Sequence, residues 1–148
     1  MHVVTRAEVA IKVVRAIPKY TDSAEVEARI LTVVNRADPD SASHCVRFHD
    51  TFMHGSHMCM VFELLGPSVY DYLKLNKHKP LPLYCVQAFA DQLMWAIAFL
   101  HSIELTHTDL KPENMLLTPT TFAESSARTS TREKRTVLAP KCVDMRRE

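Results

Sequence analysis

The chain has 148 residues, 47% of them apolar and 24% charged, with a formal net charge of +1. That length suits one domain with a real core, and so small a charge gives no general pull toward nucleic acid or an anionic membrane, so neither is expected as a direct partner. No run reaches the roughly 18 apolar residues of a spanning helix, the opening MHVVTRAEVAIK lacks the apolar stretch of a secretory signal, and Cys45, Cys59, Cys85 and Cys142 form no Cys-x-x-Cys pair, which suits reduced thiols in cytosol or nucleus.

Residues 8–15, EVAIKVVR, alternate around β-branched side chains and predict a strand that Pro18 ends. Residues 21–37 predict a helix, capped by Thr21, Asp22 or Ser23, with Val26, Ile30, Val33 and Val34 as its apolar stripe. After the polar linker at 38–43, strands are expected near 45–53 and 57–64, joined by the turn His54-Gly55-Ser56. Gly66-Pro67 breaks the chain, and Ser68 opens a short helix. The longest periodic segment is 82–102, where Val86, Phe89, Leu93, Ala96, Ile97 and Leu100 fall at helical spacing behind Pro82. Beyond Leu117 the composition turns to Ser, Thr and charge, which reads as a mobile, solvated insert or tail. Strand, helix, two strands and then mostly helices argue for an α+β fold with two unequal lobes.

Between two apolar runs stands LTHTDLKPENMLL, residues 105–117. Asp109, Lys111 and Asn114 are the groups that phosphoryl transfer needs. A carboxylate receives the acceptor hydroxyl's proton, a cation meets the transferred phosphate, and a neutral amide oxygen ligates Mg²⁺ without adding charge. A single acid in a loop is usually only solvated; the combination is much less ordinary. His107, Asp109, Leu110 and Asn114 match the protein-kinase catalytic loop, His-Arg-Asp-Leu-x-x-x-x-Asn, with Thr108 in place of its arginine.

VAIK, residues 9–12, resembles the third-strand motif of the same family. Strand periodicity puts Ala10 and Lys12 on one face, Ala10 to cover an adenine and Lys12 to reach the α- and β-phosphates, with Val9 and Ile11 toward the core. Glu27 lies in register with Ile30, Leu31 and Val34 on the inward side of the predicted helix, and is the anion to hold Lys12; Glu25 lies nearly opposite. MCMVFELLG, residues 58–66, resembles the kinase hinge. The resemblance implies backbone groups at Glu63 and Leu65 for the adenine edge, Phe62 guarding the pocket behind it, and Leu116 as its floor.

HTDLKPEN with its threonine, HMCMVFELLG, and KYTDSAEVEARIL together resemble the LAMMER (Clk-type) dual-specificity kinases over residues 9 to about 117. The resemblance implies a protein-kinase-like, partial bilobal domain, with residues 1–65 part of the small lobe, 66–117 the start of the large lobe, and 118–148 an insert or tail. It further implies ATP and Mg²⁺ as cofactors and transfer of the γ-phosphate to Ser and Thr, with Tyr as a further acceptor. Family substrates are Ser/Arg-rich splicing factors, and members reside in nucleus and cytoplasm. Thr108 has no charge with which to grip a phosphorylated activation loop, which implies a loop ordered by other means.

The sequence departs from the family pattern. It has two glycines, Gly55 and Gly66, hence no Gly-x-Gly-x-x-Gly before VAIK, and no Asp-Phe-Gly or Ala-Pro-Glu. Asp144, thirty residues after Asn114, stands where the family's second metal-binding aspartate follows its insert, but Met145-Arg146 replaces Phe-Gly, and an acid in a basic tail with no metal role is an equal reading. A truncated form with weak or no turnover in isolation is expected, and a catalytically dead, kinase-derived binding module is the alternative. His54-x-x-His57 flanks a tight turn without Cys or acidic partners and is not expected to bind zinc.

Overall fold

The structure is a computed structural model and describes residues 8–118 and 136–138. Strand β1 (Val9–Val13) leads into helix α1 (Pro18–Ala37), then β2 (Phe48–His54) and β3 (His57–Glu63). Helices α2 (Val69–Leu75) and α3 (Leu83–Ser102) follow, and a single 3₁₀ turn at Pro112–Asn114 leads into β4 (Met115–Leu117), which pairs antiparallel with β5 (Thr136–Leu138). The first three strands form one antiparallel sheet in the order β1-β3-β2. His54 lies opposite His57, so Gly55 and Ser56 make the reversal, and Gly55 at φ 59° takes the left-handed position glycine occupies without strain. The architecture is α+β.

The amphipathic faces explain the packing. Ala24 and Leu31 of α1 bury against Val14, Phe48, Met58 and Met60, closing the helix over one face of the sheet. Farther along the same helix, Ile30 and Val34 pack with Cys45, with Ala96 and Leu100 of α3, and with Leu105, where the chain enters the catalytic-loop motif; Met115 lies against the same cluster. This second core couples α1 to the loop that α3 delivers. A third cluster seats Val69 and Phe89 on Leu117. By length and composition alone α3 could cross a bilayer; Cys85, Phe89, Ala96 and Leu100 are buried in the fold, whereas Leu83, Tyr84, Met94 and Trp95 are exposed.

Several expectations need correction. Helix α1 begins at Pro18, whose fixed φ suits the first helical position, so this proline starts the helix instead of merely ending the strand. The hydroxyls of Thr21 and Ser23 consequently lie inside the helix and donate back to the carbonyls of Ile17 and Lys19, at 3.4 and 2.8 Å, and cap nothing. Val9 and Ile11, expected toward the core, are 39% and 51% exposed. They alternate along β1 with Lys12, the side chain that turns toward Glu27 of α1. Val26, Val33 and Val86 are likewise exposed. In α2 the expected cap is present: Ser68 accepts from the Asp71 backbone N–H and Asp71 returns the bond, a reciprocal box that holds the Asp71 carboxyl below its usual range.

Candidate active site

The catalytic-loop segment is folded by three local devices. Leu105 and His107 are buried and anchor its start. At Thr108 the backbone takes φ 53° and the Asp109 N–H donates to the His107 carbonyl at 2.6 Å, a one-residue reversal that turns the Asp109 side chain out of the core. A β-branched residue at positive φ is strained, and such strain concentrates where a side chain must be aimed. Lys111 is extended, and the 3₁₀ turn after it, closed by the Asn114 N–H on the Lys111 carbonyl at 2.9 Å, brings Asn114 back to Asp109.

Asp109, Lys111 and Asn114 therefore meet. Lys111 Nζ donates to Asp109 Oδ1 at 2.8 Å, and Asn114 Nδ2 donates to the Asp109 carbonyl at 2.7 Å and to Asp109 Oδ2 at 3.1 Å. The hydrogen bond to Asp109 raises the Lys111 pKa, so the ammonium stays charged well above neutrality. Asn114 is buried, and both its amide hydrogens face Asp109 oxygens. That fixes the orientation of the amide and leaves its carbonyl oxygen as the atom turned elsewhere. A hard, neutral oxygen beside a half-exposed carboxylate fits the donor chemistry of Mg²⁺.

The second cluster is Lys12 with Glu27. Lys12 Nζ lies 2.7 Å from both Glu27 oxygens, and Glu27 is buried at 8% exposure on the inward face of α1 while the lysine remains partly open. Two of the three ammonium hydrogens can serve the carboxylate, and the third remains for an anion such as a phosphate. Glu25, the alternative on the same helix, pairs instead with Arg29 at 3.5 Å on the surface. Ala10 sits across from Phe62 and Lys12 across from Met60 in the sheet register. Phe62 packs on Phe48, with ring centroids 5.6 Å apart. Glu63 ends β3, and the segment from Leu65 is laced to β4: the Gly66 N–H donates to the Leu117 carbonyl at 2.7 Å, the Leu117 N–H to the Pro67 carbonyl at 3.0 Å, and Ser68 bridges to Leu116.

Among the described residues no hydrogen bond or ion pair joins Lys12 to Asp109; the shared core of α1, α3 and Leu105 relates the two clusters. Asp144 lies outside the described residues. The role of the Glu63 side chain was not anticipated. Its Oε1 accepts the Arg47 N–H at 2.7 Å while its own N–H donates to the Arg47 carbonyl at 3.0 Å. A hinge glutamate followed by two leucines gives no sequence sign of that partner, which lies sixteen residues upstream.

A lysine held by a helix glutamate, together with an aspartate held by a lysine and an asparagine across a proline turn, is the kinase arrangement, and comparison with known proteins agrees. Residues 1–124 match the protein kinase domain model. The chain belongs to the protein kinase family, in its LAMMER (Clk-type) branch. It is 47% identical over 108 residues to dual specificity protein kinase lkh1 of Schizosaccharomyces pombe, covering 73% of this chain and 16% of that protein. It is 46% identical over 110 residues to dual specificity protein kinase CLK2 of Homo sapiens, covering 74% of this chain and 22% of the relative. A crystal structure of a kinase domain superposes with a TM-score of 0.73 at 39% identity, over 78% of this chain and 33% of the other. The chain thus spans only a minor part of the length of these kinases.

Proposed function

We propose that this chain carries the nucleotide-holding and catalytic-loop parts of a LAMMER-type kinase, which transfers the γ-phosphate of ATP to Ser and Thr hydroxyls of proteins, with Tyr as a further acceptor. The observation that supports it most is the three-way meeting of Asp109, Lys111 and Asn114. Asp109, aimed by the turn at Thr108, orients the acceptor hydroxyl and takes its proton. Lys111 lies within reach of the transferred phosphoryl oxygens and offsets their charge. Lys12, steadied by Glu27, fixes the α- and β-phosphates. Ala10, Phe62, Leu116 and the backbone at Glu63 and Leu65 form the adenine site. The Asn114 carbonyl oxygen would ligate Mg²⁺, and Asp144 would be the second ligand. When bound, Mg²⁺ neutralises charge on the phosphates and fixes their geometry. Positioning and electrostatics of this kind supply most of the rate in phosphoryl transfer.

The proposed substrates are Ser/Arg-rich splicing factors, and the proposed location is nucleus, cytoplasm or both. A kinase-derived module that binds nucleotide without turnover is the second reading, favoured by Met145-Arg146 after Asp144. The deciding experiment incubates the chain with γ-labelled Mg-ATP and an Arg-Ser repeat peptide, alongside Asp109→Asn. Label transfer abolished by the substitution supports the enzyme. No transfer, with a thermal shift in millimolar Mg-ATP that Lys12→Met removes, supports the binding module. Neither transfer nor shift refutes both.

A further inference from the structure

We infer that Glu63 is a positioning residue whose carboxylate locks the hinge end of β3 to the C-terminal end of α1. This goes beyond the backbone role given to Glu63 above and rests on that reading only for its consequence in catalysis. Glu63 brackets Arg47: its Oε1 accepts the Arg47 N–H (2.7 Å), and its backbone N–H donates to the Arg47 carbonyl (3.0 Å). Arg47 carries the connection onward, since its Nη1 donates to the carbonyl of Asp38, the residue that ends α1, at 2.8 Å. From the helix side, the Asn35 side-chain amide reaches the Phe48 backbone, donating to its carbonyl and accepting its N–H.

Asp38 completes the knot. Its carboxylate accepts the Ala42 and Ser43 N–H groups, both at 2.9 Å, and so holds the loop between α1 and β2 in one shape. That loop contains Ser41 and His44 at positive φ, conformations such residues keep only when their surroundings over-determine them. Glu27, which grips Lys12, lies on the same helix. The strand proposed to meet adenine and the helix that holds the phosphate-binding lysine are thus tied by a continuous path of hydrogen bonds, and a shift of one must be transmitted to the other. The two bonds reach the peptide groups on either side of the Arg47 Cα, so Glu63 holds both planes that flank that residue.

The test is amide hydrogen exchange on the 148-residue chain without nucleotide, so that a failure to bind nucleotide counts against the proposed function and not against this lock. In Glu63→Ala, exchange should rise about tenfold at residues 34–38, as expected from the loss of one charge-assisted bond. Amides of α3 around Ala96–Leu100 should be unchanged. Glu63→Gln, whose amide oxygen still accepts the Arg47 N–H, should restore most of the protection. Arg47→Met, which keeps the backbone bonds to Glu63 but removes the guanidinium, should reproduce the loosening at residues 34–38. The inference is overturned if residues 34–38 are unaffected in Glu63→Ala, whatever Arg47→Met does, or if Arg47→Met leaves them unchanged. It is equally overturned if α3 loosens as much as α1, or if Gln behaves like Ala.

Discussion

Replacing Asn114 with alanine removes the two hydrogen bonds that its amide donates to Asp109. One, to the Asp109 carbonyl at 2.7 Å, is between neutral groups and is worth about 1 kcal/mol. The other, to the carboxylate at 3.1 Å, would reach ~1.5–3 kcal/mol if fully shielded, but the Asp109 side chain is 39% exposed, so about 1 kcal/mol is the better figure. The expected loss is therefore about 2 kcal/mol, or a fall in Tm of ~4–8 °C for a domain of this size. Urea denaturation at neutral pH measures it directly. A double-mutant cycle with Asp109→Ala isolates the carboxylate bond, and should return a coupling of about 1 kcal/mol, because the carbonyl bond survives in the aspartate mutant. A destabilisation below roughly 0.5 kcal/mol, or a coupling near zero, would refute the claim that Asn114 organises the loop.

Three further outcomes follow from the same geometry. Met60→Ala, at a fully buried site between the sheet and α1, should cost about 2–5 kcal/mol by chemical denaturation, whereas Ile11→Ala on the exposed face of β1 should cost well under half of that. Burial raises the Cys45 thiol to about 11, so iodoacetamide at pH 8 should leave Cys45 unmodified in the folded chain and modify it once urea unfolds it. For Asp38, burial favours the neutral acid, but the hydrogen bonds from Ser43 and Ala42 outweigh it and hold the pKa below its usual value. A depressed carboxylate stabilises the fold above its unfolded pKa of about 3.9, and that stability is lost as pH falls through the lower folded value. Asp38→Asn should flatten the acid limb of a stability–pH curve; an unchanged limb would contradict the assignment.

What was legible in the sequence was pattern. Helical register placed Glu27 with Ile30, Leu31 and Val34 and away from Glu25, and the structure shows the Lys12 pair that follows from it. Ser68 was legible as a cap because a hydroxyl three residues before Asp71 has a local partner. Periodicity reveals which side chains share a face, but not whether that face meets anything. Hence Val9, Ile11, Val26, Val33 and Val86 were expected inside and are found exposed. Left-handed backbone at His44, Glu104 and Thr108 was not legible either, since none of these is glycine and their surroundings impose the conformation. The Glu63–Arg47–Asp38 path was invisible because each link pairs a side chain with a distant backbone group.

Lys12, Asp109 and Asn114 are proposed to face one bound nucleotide. Paramagnetic broadening tests it most directly, by adding Mn²⁺ with ATP to the isotope-labelled chain and following side-chain and backbone resonances. Strong loss of the Asn114 amide and Asp109 signals, with weaker loss at Lys12, is the predicted result. Broadening confined to surface carboxylates elsewhere, with Asn114 and Lys12 untouched, would contradict it.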